Sequence, residues 1–221
     1  MIRFAFLITI LFFGIYNSSY CIDHDTTYTS SNRMIKSGIF LNFGIAYPVM
    51  FVPGTYKSIS NNYNVEKVYV EERAVGLGVQ PNFEFGSQWY FYANNKWGIG
   101  CKVSWFQIGF SSSETSNSDL HLDLRVLKFA PQFTWSINRE MVFDFSLESS
   151  PTVMAGRRSY YPLRYSGFGV LIAPGIKFRY KTFAVGFDLS LGLLSTTYEE
   201  NYTKFIETFI FKPRIFLGLK F

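Results

Sequence analysis

Acid–base and nucleophilic chemistry needs histidine, serine and carboxylate side chains close together, and this chain offers few of them. It has two histidines, and His121 lies two residues before Asp123 and near the serines at 111–113. A serine whose proton is taken by a histidine, with a carboxylate beside it, is typical of acyl-transfer and hydrolytic sites. No nucleophile motif surrounds these serines, and they lie in a polar segment. The pattern therefore favours a structural role for His121 and Asp123 over a catalytic one.

Two other polar segments are candidates for binding. His24 lies between two aspartates near the start of the chain, but a local cluster without a second histidine predicts no metal site, and no cofactor is expected. Arg157, Arg158 and Arg164 surround a pair of tyrosines at 160–161. At the external rim of a membrane protein they can contact anionic lipopolysaccharide, although a solvated loop with interfacial aromatic residues explains the same composition.

Most charged residues occupy every second position of segments whose other positions are bulky and apolar. Side chains of a β-strand point to opposite faces with a period of two, so each segment predicts a strand with one polar and one apolar face. These strands lie at about 38–47, 74–85, 97–110, 120–137, 141–148, 168–180, 183–193 and 209–221. The phase changes near Phe106, and a second change predicts a β-bulge around Arg125 and Val126, because one extra residue moves later side chains to the other face.

The polar faces of these strands carry charged residues that we predict to form an interior polar network. Its members are Glu84, Lys102, Asp123, Arg125, Asp144, Lys177, Arg179, Asp188, Lys212 and Arg214. Lys128, Glu148 and Lys220 fall on the same faces. Buried charges must be paired, and these residues include eight cations but five carboxylates. The excess positive charge therefore requires water or a position near a rim.

The division of side chains between the two faces indicates what surrounds the strands. A soluble β-barrel or sandwich also shows alternation, but its exterior is polar. Here one face is almost wholly bulky and apolar, while the other holds glycines and charges. Because a Lys or Arg side chain in lipid at mid-depth costs roughly 2–4 kcal/mol, we expect the bulky face to contact lipid and the charged face to point inward.

The lengths of the connections predict the topology. Short turns fit at 93–96, 137–140 and 180–182, whereas long links fit at 48–73, 111–119, 155–166 and 195–204. This alternation is typical of outer-membrane barrels. The sequence thus predicts an all-β fold at 37–221, an eight-stranded antiparallel transmembrane β-barrel with up-and-down meander topology. Short turns and both termini are expected in the periplasm, with longer loops outside.

The start of the chain has the layout of a secretory signal peptide, with basic Arg3, an apolar run at 4–16 and small polar residues at 17–19. We predict a signal peptide at 1–21 and a polar N-terminal segment at 22–36. Cleavage after Cys21 is the first hypothesis, and a lipoprotein acylated at Cys21 is the alternative.

Composition excludes several classes of protein. The chain is rich in Phe (25) and Tyr (15), yet no second apolar stretch is long enough for a spanning helix, which excludes a helical membrane protein. The basic residues behind the net charge of +5 are scattered, so nucleic-acid binding is not predicted. With two cysteines in the chain, no disulfide framework is expected, and Cys101 should be an unpaired thiol.

Four stretches of the sequence resemble a known family. They are Gly78-Val-Gln-Pro-Asn-Phe-Glu-Phe-Gly-Ser-Gln-Trp-Tyr-Phe91 with Trp97-Gly-Ile-Gly-Cys-Lys-Val-Ser-Trp105, Lys177-Phe-Arg-Tyr-Lys181, and the terminal Gly218-Leu-Lys-Phe221. In these stretches the chain resembles the small outer-membrane β-barrel family of Bacteroidetes, often called porin-like. The resemblance implies a barrel in the outer membrane of a Gram-negative bacterium and supplies little mechanism. The final aromatic, Phe221, resembles the signal that the barrel-assembly machinery reads.

Three functions are compatible with these patterns. The first is a non-enzymatic outer-membrane barrel that serves the envelope structurally or binds a partner through its loops. The second is a narrow channel for small solutes, although eight strands enclose an interior that side chains just fill. The third is a lipid- or lipopolysaccharide-modifying enzyme that uses His121 and Asp123. The expected partners are outer-membrane lipid and lipopolysaccharide, with the barrel-assembly machinery during biogenesis.

Overall fold

The computed structural model describes residues 35–52, 57–61, 64–68, 73–112, 120–157, 164–198 and 205–221. The predicted signal peptide, most of the polar N-terminal segment and the tips of the long loops lie outside these ranges. The first strands are β1 (Gly38–Ala46), β2 (Val49–Val52), β3 (Lys57–Asn61), β4 (Asn64–Val68), β5 (Arg73–Gly76) and β6 (Gln80–Ala93). They are followed by β7 (Trp97–Ser112), β8 (Leu120–Ser136), β9 (Met141–Arg157), β10 (Arg164–Tyr180), β11 (Phe183–Tyr198) and β12 (Phe205–Lys220).

Eight of these strands form a closed ring. Their order in the sheet is β1-β6-β7-β8-β9-β10-β11-β12, and the ring closes because β12 also pairs with β1. That closing ladder is antiparallel and runs from Phe40 opposite Lys220 to Ala46 opposite Arg214. From β6 onward every strand pairs with the next one along the chain, so the barrel is the predicted up-and-down meander. Closure leaves no unpaired strand edge within the ring. A sheet in lipid requires this, because lipid offers no partners for unpaired backbone N–H and C=O groups.

Three short strands, β2 to β4, lie in the long link that the sequence predicts at 48–73, and a fourth, β5, begins where that link ends. After Tyr47 and Pro48, β2 continues alongside β12, with Phe51 opposite Phe209. The amide of Tyr47 donates to the carbonyl of Pro213 at 3.0 Å, which keeps the chain attached across this break. β5 pairs with β2, and β3 with β4 forms a separate two-stranded sheet. The predicted strand at 74–85 is therefore wrong in extent, because β5 and β6 are distinct and β6 continues to Ala93.

The three short turns lie where the sequence predicts them. The side-chain oxygen of Asn94 accepts hydrogen bonds from the amides of Lys96 and Trp97, both at 2.8 Å. Asn138 makes the same pair of bonds at the next turn, to the amides of Glu140 and Met141 at 2.8 Å. Asparagine suits these positions because its side chain can replace a backbone acceptor in a tight turn. The ladder from Ala93 opposite Gly98 fixes a hairpin register that the sequence leaves open.

The phase changes in the sequence correspond to irregular pairing between neighbouring strands. Leu127 has a φ of 52°, and the β8–β9 register shifts between Arg125 and Phe129. Inward positions on β8 are odd up to Arg125 and even from Lys128. This confirms the predicted bulge, with Val126 and Leu127 both facing outward. On β7 the inward series changes between Ser104 and Gln107, which confirms the predicted change near Phe106.

The outer surface of the ring is apolar all the way round. Large side chains stay exposed on every wall, for example Phe43 (56%), Phe129 (52%), Phe168 (61%) and Leu217 (66%). The inner surface instead carries buried polar and charged side chains. This arrangement is the reverse of a soluble barrel and suits lipid outside. In the ranges that the structure describes, no helix is both long and apolar enough to cross a membrane.

Candidate functional site

The structure places all ten residues of the predicted interior network inside the ring. Lys177 is the most exposed of them at 7%. Lys128 and Glu148 are buried with them. Together they form three clusters stacked along the barrel, which we call the turn-side, central and loop-side clusters. The turn-side cluster lies near the short turns, and the loop-side cluster lies toward the long loops.

The central cluster is built around Glu84 on β6. Its carboxylate lies 3.1 Å from the Nζ of Lys102, 2.8 Å from the Nζ of Lys128 and 2.9 Å from the NH2 of Arg214. Asn42 also donates to it at 3.0 Å. Because a carboxylate has about four lone-pair sites, these donors occupy Glu84 fully.

Two further carboxylates complete the central cluster. Glu148 on β9 contacts Lys102 at 2.6 Å and Lys128 at 2.5 Å, and Asp188 on β11 accepts from the Nε of Arg214 at 2.7 Å. The cluster thus contains three cations and three carboxylates and is electrically balanced. Balanced pairing is what allows these charges to be buried, since an unpaired buried charge is strongly destabilising.

Two aromatic rings lie inside the barrel beside these charges. Phe216 on β12 is 5% exposed, and the guanidinium of Arg214 lies 4.8 Å from its ring centroid. Gly186 makes room for this ring, because a Cβ there would lie 2.3 Å from the Phe216 Cζ. The second ring is Phe40 on β1, and the Nζ of Lys102 lies over it, 4.8 Å from the ring centroid. The rings supply cation–π contacts and fill space that charged groups alone would leave.

The turn-side cluster connects opposite walls through Tyr90. Asp144 on β9 accepts from Arg179 at 2.6 and 2.9 Å and contacts Lys177 at 3.2 Å. The hydroxyl of Tyr90 on β6 accepts from the NH2 of Arg179 at 2.9 Å and shares a 2.8 Å hydrogen bond with Thr134. β6 and β10 lie four places apart in the ring of eight. The Tyr90–Arg179 contact therefore spans the lumen.

Residues just before β1 pack against one side of the turn-side opening. Ile35 is 5% exposed, and its side chain lies against Gly98, where a Cβ would approach Ile35 to 2.6 Å. The backbone amide of Tyr90 donates to the hydroxyl of Ser37 at 3.2 Å. Lys220 donates to the carbonyl of Lys36 at 2.5 Å. The segment at 35–37 is thereby held against β6, β7 and β12, on one side of the mouth of the barrel.

The loop-side cluster also crosses the lumen. Asp123 on β8 forms an ion pair with Lys212 on β12 and lies 3.3 Å from the NH2 of Arg125. The NH1 of Arg125 donates to Ser190 on β11 at 2.8 Å. β8 and β12 are four places apart in the ring, so the Asp123–Lys212 pair joins opposite walls.

Above this cluster, toward the long loops, the interior becomes apolar. The buried residues of this apolar plug are Met50, Leu77, Met154, Tyr165, Leu171, Leu194 and Ile210. Strict alternation does not predict it, because inward positions are expected to be polar. The signal that does mark it is a run of consecutive apolar residues, such as 170–172, 193–194 and 209–211. Such runs are typical of strand segments that are apolar on both faces.

His121 lies beside the apolar plug. Its Nδ1 and the hydroxyl of Tyr165 share a 2.7 Å hydrogen bond, and Ser111 is its partner on the adjacent strand. The hydroxyl oxygen of Ser111 makes no hydrogen bond within the part of the chain that the structure describes. A serine nucleophile needs a hydrogen bond to its base, and Ser111 makes none to His121 here. Asp123 meanwhile is bound by cations.

Of the other predicted site residues, Arg157, Arg164 and Phe221 lie at the ends of strands. The backbones of Arg157 and Arg164 are opposite each other where β9 and β10 end at the long loop, while Arg158 and His24 lie outside the described residues. Phe221 is 68% exposed, and its amide donates to the carbonyl of Ile39 at 2.9 Å. Cys101 is a free, buried thiol, as predicted. No group of three or more metal-ligating side chains occurs among the described residues.

Comparison with known proteins gives matches of fold only. No protein-family model matches the chain, and no curated protein sequence matches it. Among solved structures, Ail, the attachment invasion locus protein of Yersinia pestis, is 12% identical over 85% of this chain and 100% of its own, with a TM-score of 0.44. The outer membrane protease OmpT of Escherichia coli is 8% identical over 89% of this chain and 100% of its own, at 0.43.

A third similar structure is the outer membrane protein OprG of Pseudomonas aeruginosa. It is 10% identical over 84% of this chain and 97% of its own, with a TM-score of 0.38. These neighbours are outer-membrane barrel proteins, of which OmpT is named as a protease and Ail as an attachment protein. At such low identity the similarity concerns the path of the chain, and it carries no information about what this protein binds or catalyses.

Proposed function

We propose that this protein is an outer-membrane β-barrel of a Gram-negative bacterium with a closed interior. In this proposal it serves the envelope structurally or binds a partner through its external loops, and it does not conduct solutes. The observation that carries the proposal is the meeting of side chains from opposite walls. Asp123 pairs with Lys212, and Tyr90 bonds to Arg179 at 2.9 Å, so two levels of the lumen are crossed by polar contacts.

The space left between these contacts also argues against a channel. The cavity between the central and turn-side clusters, lined by Lys102, Asp144 and Glu148 among others, has a volume of about 10 Å³. That is about the room that one water molecule needs. The apolar plug lies beyond the loop-side cluster, and the segment at 35–37 packs against one side of the opposite opening. Ions that entered from either side would have to displace buried, paired side chains, so a narrow channel is disfavoured.

The proposal extends to location and partners. The apolar outer surface supports contact with outer-membrane lipid, and the ends of β9 and β10 place Arg157 and Arg164 at the loop side, where lipopolysaccharide headgroups would lie. The resemblance of the sequence to small Bacteroidetes barrels agrees with this location. We propose that Phe221, exposed at the end of β12, is the residue that the barrel-assembly machinery reads.

Outer-membrane fractionation with and without boiling before electrophoresis tests the location and the fold together. We expect the chain in the outer-membrane fraction, with unboiled protein migrating faster than boiled protein, because a closed barrel resists unfolding in detergent at room temperature. A variant lacking Phe221 tests the assembly signal, and we expect less folded barrel from it. A chain in the soluble fraction, or one with no heat-dependent shift, would contradict the proposal.

A further inference from the structure

The loop-side cluster has one more buried cation than carboxylate. Asp123 is opposed by Arg125 and Lys212, and none of the three residues is more than 1% exposed. The central cluster, by contrast, pairs three cations with three carboxylates. Within the described part of the chain, one positive charge of the loop-side cluster is therefore unbalanced; the turn-side cluster, with Lys177 and Arg179 on Asp144, has the same excess near the opposite mouth. An uncompensated charge in a low-dielectric interior is strongly unfavourable, so this position calls for a negative partner.

Two hydrogen-bond donors beside this charge are not used by the protein. The Nε of Arg125 and the Nε2 of Gln107 make no hydrogen bond within the described residues. Arg125 and Gln107 are opposite each other on β8 and β7, both point inward, and both are 1% exposed. Side chains of directly paired residues lie about 5 Å apart at Cβ. The two free donors are thus neighbours on the wall of the lumen.

The orientation of the Gln107 amide follows from its other contact. The Nζ of Lys128 donates to the Gln107 Oε1 at 2.8 Å. An ammonium group can only donate, so the amide oxygen must face Lys128, which leaves the NH2 group directed elsewhere. Asp123 does not take up these donors, because its Oδ2 receives Arg125 and Lys212 while its Oδ1 makes no hydrogen bond in the described ranges.

We propose that a small monovalent anion of the halide class binds inside the barrel between Gln107 and Arg125 and neutralises the loop-side cluster. The two N–H donors and the excess positive charge supply the recognition. Charge-assisted hydrogen bonds to an anion are stronger than those to a neutral acceptor such as water. The enclosed position, under the apolar plug, suits a compact ion and disfavours a phosphate or a carboxylate ligand.

Thermal unfolding in different sodium salts tests this site. The purified barrel in lipid nanodiscs is heated at constant ionic strength in chloride, in bromide and in gluconate, whose large anion does not fit. A ligand that binds only the folded state raises Tm in a saturable way. We expect a higher Tm in chloride and bromide than in gluconate. Equal Tm values in all three salts would show that water alone satisfies these donors and would overturn the proposal.

Gln107→Glu gives the sharpest variant because it places a carboxylate where the anion is proposed to lie. We expect this variant to lose the difference between chloride and gluconate, with a Tm in gluconate at or above that of the wild type. Gln132→Glu is the matched control: it adds the same charge at another buried inward glutamine, in the turn-side cluster, and should keep the chloride effect. A Gln107→Glu variant that folds and keeps the full chloride effect would overturn the proposal.

A second variant and a direct measurement cover the case in which Gln107→Glu does not fold. Gln107→Leu removes one of the two donors, and we expect the chloride concentration at half-effect to rise roughly tenfold or more. In crystals of protein that was refolded and crystallised in bromide, an anomalous peak is expected next to the Arg125 Nε. Unchanged chloride dependence in Gln107→Leu, together with no bromide peak at this position, would contradict the site.

Discussion

Asp123 on β8 and Lys212 on β12 form an ion pair across the full width of the barrel. Their strands are four places apart in a ring of eight, so the pair joins opposite walls and does not reinforce a single ladder. A contact of this kind gives the interior two roles: it holds the ring together from inside, and it blocks the lumen. Both roles lead to measurable consequences.

Removing the carboxylate of this pair should be costly. Asp123→Ala leaves Arg125 and Lys212 buried without their anion, and we expect the free energy of unfolding to fall by about 3–5 kcal/mol. The measurement is urea unfolding of the barrel in lipid vesicles, followed by tryptophan fluorescence. Glu140→Ala is the control, because its 3.4 Å pair with Lys181 is half exposed on a turn. We expect no measurable change there, and equal effects of the two substitutions would contradict the structural role of the buried pair.

The hydroxyl of Tyr90 joins several strands of the turn-side cluster. Tyr90→Phe deletes the bonds to Arg179 and Thr134 at 2.9 and 2.8 Å, and we expect a loss of about 1–3 kcal/mol of unfolding free energy. Tyr92→Phe, two residues later and 51% exposed, is the matched control and should behave like the wild type. The same urea titration distinguishes the two variants. A Tyr90→Phe variant with an unchanged free energy of unfolding would show that the hydroxyl does not organise this end of the lumen.

The extra residue at Leu127 can be tested by deletion. Deleting Leu127 leaves Arg125, Val126 and Lys128 in strict alternation, so the same charged side chains stay inside the barrel. Deleting Leu124, an outward residue in the regular part of β8, instead turns Asp123 or Arg125 toward lipid, where an Arg at mid-depth costs roughly 2–4 kcal/mol. We expect the Leu127 deletion to retain the heat-dependent mobility shift of the folded barrel and the Leu124 deletion to lose it. Loss of the shift in the Leu127 deletion, or its retention in the Leu124 deletion, would contradict the placement of the bulge.

The buried position of His121 predicts the outcome of an activity test. Its Nδ1 is engaged with Tyr165 at 2.7 Å, and Ser111 makes no hydrogen bond in the described part of the structure. We expect the purified barrel in phospholipid and lipopolysaccharide vesicles to release or transfer no acyl chains above an empty-vesicle background. Wild-type turnover that is lost in a folded His121→Ala variant would support an enzyme instead.

Several features of the fold follow from the sequence because they depend on local rules. The alternation in 141–148 and 168–180 fixes which faces are apolar, and the asparagines at 94 and 138 mark tight turns. The bulge near Arg125 follows from the phase of β8 alone. Each of these signals lies within a single strand or turn, where the side-chain period decides the outcome.

Other features depend on contacts between distant parts of the chain, and the sequence does not show them. The apolar plug needs Met50, Leu171 and Ile210 to meet from three strands, and the position of the segment at 35–37 depends on contacts with Tyr90 and Lys220. The register of β6 on β7 includes two irregular positions, which no turn residue specifies. Pairing of the charges is likewise a matter of strand order, since Lys212 reaches Asp123 only when the ring closes.

Conductance of the purified, folded barrel in planar lipid bilayers tests the closed interior most directly. Insertion is first verified by the heat-dependent mobility shift of the same preparation, and a large open porin serves as the positive control. We predict no conductance steps above the bare membrane, because Asp123–Lys212 and Tyr90–Arg179 cross the lumen and the apolar plug fills its loop-side end. Reproducible, stable steps from the wild-type barrel would contradict this account.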